Sequence, residues 1–289
     1  MTERIAPTSD LGFKKILTER SNKDVLQGII NDFLDLSIPL EEITVTDPYD
    51  IKVFQEYLKR LSSGVEIGEK LRHTVQDVAA DIKIADFGAE VQVKKDNYFF
   101  QRTLYYTLAR FCSNYNRSGK MVYMYDGTPI RFSSLRPMYM LNILDHSYFT
   151  GDDDALRIFT LFDRNRNKAF KVEYLVIAYF ELGKNQIETV NQRYWRVFFK
   201  TGDVPADAPG YIKKAAQAIE RVNMTQEERD MYDQLQKAED SYYSTLYTAQ
   251  IEGEMIGEAR GKVEGAKNVI ELLENGFSLA EAKKMLNIQ

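Results

Sequence analysis

The sequence predicts an α/β (α+β) fold, a mixed sheet core flanked by helices with a helical C-terminal extension. Strand-like runs concentrate in the middle of the chain, helical periodicity occupies both flanks, and one helical segment separates the strands. The 289 residues are 44% hydrophobic and 12% aromatic, enough for one sizeable core or two small ones. Charged residues make up 28%, and no stretch of about 18 apolar residues is free of charge, which argues against a membrane span. The opening decapeptide carries neither an apolar run nor a small-residue cleavage site, so a cytoplasmic protein is expected.

Each element has a local cause. Ser9 or Asp10 can cap a first helix whose apolar side carries Leu11, Phe13 and Leu17. Ser21-Asn22-Lys23-Asp24 precedes Val25, Ile29, Ile30, Phe33 and Leu34 at helical spacing, and Pro39 ends that segment. Residues 43–46 are β-branched and read as a strand; 54–61 read as a helical turn. Residues 77–95 read as a tight hairpin turning at Phe87-Gly88. Residues 97–117 form an amphipathic helix, with Phe100, Leu104, Leu108, Phe111 and Tyr115 expected to face the core and Arg102, Tyr106, Arg110, Ser113 and Arg117 the other side.

Strands are expected at 121–125, 138–144, 159–161 and 170–177, and helices from about Glu188, broken between Pro205 and Gly210. This organisation suggests a main domain over 1–190, a helical extension over 191–248 and a charged, glycine-spaced helical tail over 249–289. In the tail Gly253, Gly257, Gly261 and Gly265 recur every fourth residue among Glu, Arg and Lys. On a helix they allow close approach of another helix, which makes the tail a candidate assembly module for a homodimer. Residues 269–286 read as a small helical hairpin around Gly276.

The hairpin carries the chemistry. With the turn at Phe87-Gly88, Asp81, Lys83, Glu90, Gln92 and Lys94 share one face, and Ile82, Ile84, Val91 and Val93 the other. Two carboxylates on one face suit a hard divalent cation, which would orient a phosphodiester and activate a water. Without further context the same pattern serves a solvated sheet face with cross-strand ion pairs. Other chemistries lack their residues. Cys112 is the lone cysteine and His73 and His146 the only histidines, so a His/Cys zinc site is unsupported. No P-loop, dinucleotide-binding, nucleophile-elbow or HExxH motif occurs. The net charge of −5 argues against nonspecific coating of nucleic acid but leaves room for a local basic cleft. The densest basic stretch is Arg157, Arg164, Arg166, Lys168 and Lys171.

The hairpin followed by Phe100-Gln101-Arg102-Thr103-Leu104-Tyr105-Tyr106 resembles the PD-(D/E)XK nuclease family transposases, also called Rpn or recombination-promoting nucleases. Pro7-Thr8-Ser9-Asp10-Leu11-Gly12-Phe13-Lys14-Lys15 resembles that family's start. Arg136-Pro137-Met138-Tyr139-Met140-Leu141-Asn142-Ile143-Leu144-Asp145 is similar to its later core strand, and Phe180-Glu181-Leu182-Gly183-Lys184 to the motif after it. All four occur in the family's order over roughly residues 5 to 190.

The resemblance implies a restriction-endonuclease-like core and DNA cleavage dependent on Mg2+ or Mn2+, with DNA as the partner. It puts the family's Glu-x-Gln on Glu90-Val91-Gln92, with Glu90 a metal ligand and Gln92 where the wider superfamily has lysine. Lys94, Lys83 or Gln92 is then the aid to the nucleophile. The aspartate ligand is Asp81, preferred for its proximity, or Asp77, which the family's spacing favours. Arg102 matches a family arginine and becomes a phosphate contact; Asp24 is a weaker candidate for an added acidic residue. The rival reading is a catalytically weak DNA-binding or oligomeric interaction module that retains the nuclease fold.

Overall fold

The computed structural model describes residues 3–47, 49–52, 55–56, 78–82, 84–93, 95–115, 121–169 and 174–286. Helix α1 (Asp10–Thr18) begins where Ser9 accepts the Gly12 N–H, and α2 (Lys23–Leu34) ends at Asp35 in left-handed backbone. Strands β1 (Ile43–Val45), β2 (Val78–Ile82) and β3 (Ala85–Gln92) follow, then helix α3 (Phe99–Ser113). Strands β4 (Val122–Tyr123) and β5 (Pro129–Ile130) form a separate small hairpin. Then come β6 (Met138–Leu144), β7 (Leu156–Thr160), the hairpin of β8 (Phe162–Asp163) with β9 (Lys168–Ala169), and β10 (Leu175–Glu181). The expected helical turn at 54–61 and the first residues of the expected strand at 170–177 lie outside the described residues, apart from 55–56.

Six strands make one mixed sheet in the order β1-β2-β3-β6-β10-β7. The central trio β3, β6 and β10 is parallel, and the outer pairings are antiparallel. Every residue of β6 is buried, as expected of a parallel strand covered on both faces. One face, carrying Phe87, Leu141 and Phe180, is covered by the N-terminal helices; Phe33 of α2 meets Phe180 edge-on at 4.8 Å between ring centres. The other face, carrying Asp86, Glu90 and Asn142, is covered by α3.

Helices α4 (Val190–Thr201) and α5 (Gly210–Ala218) pack back on α2. Thr189 caps α4, and Gly202, at φ 75°, ends it in a conformation that side chains disfavour. Buried Trp195 donates its indole N–H to Asp32 at 2.8 Å, and Tyr211 donates to the same carboxylate oxygen at 2.9 Å. Tyr211 lies so close over Gly28 that a Cβ there would strike its ring. Lys15 and Glu228 form a buried ion pair that Tyr49 joins at 3.0 Å. The first compact unit therefore runs to Tyr232, past the boundary expected at 190. The second, Asp233–Gln289, holds the greater part of helix α6 (Gln226–Glu274), which continues through all four spaced glycines, and helix α7 (Leu279–Met285). Ser278 and Glu281 close a reciprocal capping box at the start of α7. Among the described residues no helix is long and apolar enough to cross a membrane.

Two expectations are corrected. The hairpin turns between Ile82 and Ala85, not at Phe87-Gly88: Ile82 faces Ala85, Asp81 faces Asp86 and Ala80 faces Phe87. Phe87 is wholly buried, and burying such a ring is worth about 2–3 kcal/mol, which outweighs the turn preference of Asp-Phe-Gly. Helix α3 is also turned the other way. Its buried residues are Phe99, Thr103 and Thr107, while Phe100, Leu104 and Leu108 of the expected core stripe are 39–47% exposed. The sheet beneath carries buried polar groups, which need hydrogen-bonding partners more than the helix needs to hide its leucines.

Phe99→Ala is accordingly expected to cost about 3–5 kcal/mol in urea unfolding, and Leu104→Ser under about 1 kcal/mol. The reverse order would restore the amphipathic reading of α3.

Candidate active site

The site is a cross-strand row beneath α3. Glu90 on β3 lies beside Asn142 on β6, Asn142 beside Tyr179 on β10, and Tyr179 beside Arg157 on β7. Residues in register across a sheet share a face, so these four side chains lie on the face that α3 covers at β3 and β6. Thr103 of α3 donates to the Asn142 side-chain oxygen at 3.3 Å, and the Asn142 amide donates to the Ala178 carbonyl at 3.1 Å. The Asn142 side chain is thereby held from both sides.

Glu90 is 6% exposed, and its Oε2 is buried with no hydrogen-bond partner among the described residues. Burial pushes its carboxyl up to about 7, against the opposing pull of the Arg102 guanidinium. The Tyr179 hydroxyl is pushed up to about 12 by burial and by the Glu90 charge, with Thr103 acting the other way. A carboxyl poised near neutrality in a buried row is the kind of group that binds a cation or moves a proton.

Arg102 sits one turn into α3 and spans two acceptors. One arm donates to Asp96 at 2.7 Å and the other to the side-chain oxygen of Gln92, while its guanidinium lies 5.8 Å from the centre of the Phe99 ring. The structure thus brings together Glu90, Gln92 and Arg102. Lys83, Lys94 and Asp77 lie outside the described residues.

Asp81 is held elsewhere. It faces Asp86, and Arg136 donates to Asp81 at 2.6 Å, to Asp86 at 3.0 Å and to the Ile82 carbonyl at 2.8 Å. Asp86, wholly buried, also accepts from Asn114. Glu90 stands four residues further along β3 than Asp86, roughly 13 Å at about 3.3 Å per residue. Asp24 pairs with Lys214 of α5 at 2.6 Å. In the basic stretch Arg157 pairs with Asp152, and Arg166 with Asp163 at 3.0 Å.

A hard cation fits the donor at Glu90, an acceptor oxygen with no donor of its own. Among the described residues no three His, Cys, Asp or Glu side chains cluster.

The model of the PD-(D/E)XK nuclease family transposases matches residues 7–249, a span that contains every residue of this row. The chain belongs to that family. No match was found among curated proteins or among solved structures. The sheet and its helices are consistent with the family's restriction-endonuclease-like fold, and membership supports a nuclease or transposase type of function.

Sequence reasoning missed Asn142, Tyr179, Thr103, Asp86 and Asp96. Asn142 left a signal, as the one amide in the otherwise apolar run MYMLNIL. Thr103 and Tyr179 left none, because each reads as an ordinary helix or strand residue.

The state of Glu90 is testable without substrate. Between 4.5 and about 7 the folded chain keeps a proton that the unfolded chain has released, so stability falls as pH rises through that window. In EDTA at pH above 7, Glu90→Gln is expected to be more stable than wild type by roughly 3 kcal/mol, with the gap closing as the pH falls toward the ordinary carboxyl range. Parallel pH–stability curves for the two proteins would remove the buried carboxyl from the account.

Proposed function

We propose that the chain is a divalent-metal-dependent DNA endonuclease that hydrolyses phosphodiester bonds at the Glu90 row. The observation that carries this reading is the buried, unpartnered Glu90 oxygen beside Gln92 and Arg102, in a chain of a nuclease family. Glu90 and an aspartate of the preceding strand would hold magnesium or manganese, which when bound supplies positive charge to the phosphodiester and makes a water more acidic.

Asp77 is the better partner of the two aspartates. The family's spacing favours Asp77, whereas Asp81 is bound by Arg136. Gln92 takes the place of the superfamily lysine as an orienting amide and cannot serve as a base, since an amide does not titrate in this range. The amines in question are Lys94 and Lys83. Arg102 supplies the fixed positive charge that a phosphate oxygen needs.

The test is purified protein on supercoiled plasmid with magnesium, manganese or excess EDTA, read as nicked and linear product. Cutting in either metal is expected, abolished by Glu90→Ala and by Asp77→Asn and largely kept by Asp81→Asn. A folded wild type that binds DNA salt-dependently and cuts under neither metal would overturn the reading in favour of a binding module.

The same reading joins two copies through the tail. Gly253, Gly257, Gly261 and Gly265 each open onto empty space, and Met255, Ile256 and Val263 beside them are exposed. Light scattering is expected to give twice the chain mass, falling to one chain mass in the Gly257→Leu/Gly261→Leu double variant.

A further inference from the structure

The loop between β3 and α3 contains an aspartate that no part of the proposed chemistry uses. Asp96 is about three-quarters buried, as is Arg102, its ion-pair partner. One of its oxygens accepts the Tyr98 N–H at 2.8 Å, closing a local turn at the start of α3; the other accepts from Arg102. Its own N–H donates to the Tyr148 hydroxyl at 2.9 Å, and the Tyr148 N–H in turn donates to the wholly buried Glu181, which pairs with Lys184 at 2.8 Å. Asp96 is therefore fixed at two points before it meets the guanidinium.

From these contacts we infer that Asp96 is a positioning residue for the site, setting Arg102 and through it the side-chain amide of Gln92. Its place in catalysis rests on the nuclease reading above; the orienting contact does not. A guanidinium only donates, so the Gln92 oxygen must face Arg102, and the amide cannot flip without losing that bond. An isolated surface ion pair would do little of this. Here one planar group is held at one end by the fixed Asp96 and presents its other end to Gln92. The local turn itself does not require the charge: an asparagine side chain accepts the N–H two residues on as an aspartate does. What asparagine lacks is the second anionic oxygen that holds Arg102.

Asp96→Asn separates the two roles. In the full-length 15N-labelled protein, the Gln92 side-chain NH2 signals, assigned by their loss in Gln92→Leu, are expected to move in Asp96→Asn. They are expected to stay in place in Asp126→Asn, where an exposed aspartate closes a similar turn with Thr128 away from the site. In the plasmid assay Asp96→Asn is expected to lower kcat about tenfold with KM changed less than about twofold, and to have no further effect in an Arg102→Ala background. An equal fall in that background would overturn the proposal, since Asp96 would then act on the helix and not through Arg102. Unmoved Gln92 signals would overturn it whether or not the protein cuts DNA. Signals that move in a wild type without cleavage would leave the orienting contact standing and remove only the nuclease reading.

Discussion

Two carboxylates four residues apart on β3 lie beneath the same helix, and most of the fold on that side answers to them. A buried carboxylate is costly unless donors or a countercharge meet it. Asp86 has Arg136 and Asn114 around it; Glu90 keeps an oxygen that no described residue meets. The first is an anchor, and its satisfaction explains why Arg136 reaches across the hairpin. The second is buried without such a partner, and its raised proton affinity follows from that burial.

Helix α3 makes the difference possible. It lays Thr103 on Asn142, and Asn114 at its C-terminal end reaches Asp86, while Phe99 packs at the end of the row with Leu144 and Tyr179. The opposite face of the sheet has no such demand and packs by ring and aliphatic contact, with Phe33 on Phe180 and Phe13 tilted toward Phe199. The two faces are thus built on different principles: one on shape, one on charge.

Much of this was legible in the sequence and some was not. The run Met138–Leu144 is apolar throughout and could be read directly as a central strand; Glu90 and Gln92 were assigned to the right face although the turn was misplaced. That survival has a reason: moving the turn from Phe87-Gly88 to between Ile82 and Ala85 shifts the register by an even number of residues, which preserves the face and changes only the neighbours. Asp81 therefore kept its side of the sheet and lost its partner. Helix α3 failed differently, because periodicity reports which side of a helix is apolar and not what the surface beneath it requires. Asn142 and Tyr179 join Glu90 only through parallel pairing between strands that lie about fifty and ninety residues further along the chain, which no local pattern encodes.

The network around Asp32 has a bearing on how the chain comes into being. Its carboxylate is met by Trp195, Asn191 and Tyr211, and Gly28 lies under the Tyr211 ring. These partners leave the ribosome well over 150 residues after the helix they stabilise, which at about 5–20 residues per second is an interval of roughly 10–35 s. During that interval the apolar side of α2 is without the helices that later cover it. Nascent chains of this protein thus present an early hydrophobic helix pair to whatever waits at the exit tunnel, and completion of the N-terminal layer is a late event of synthesis.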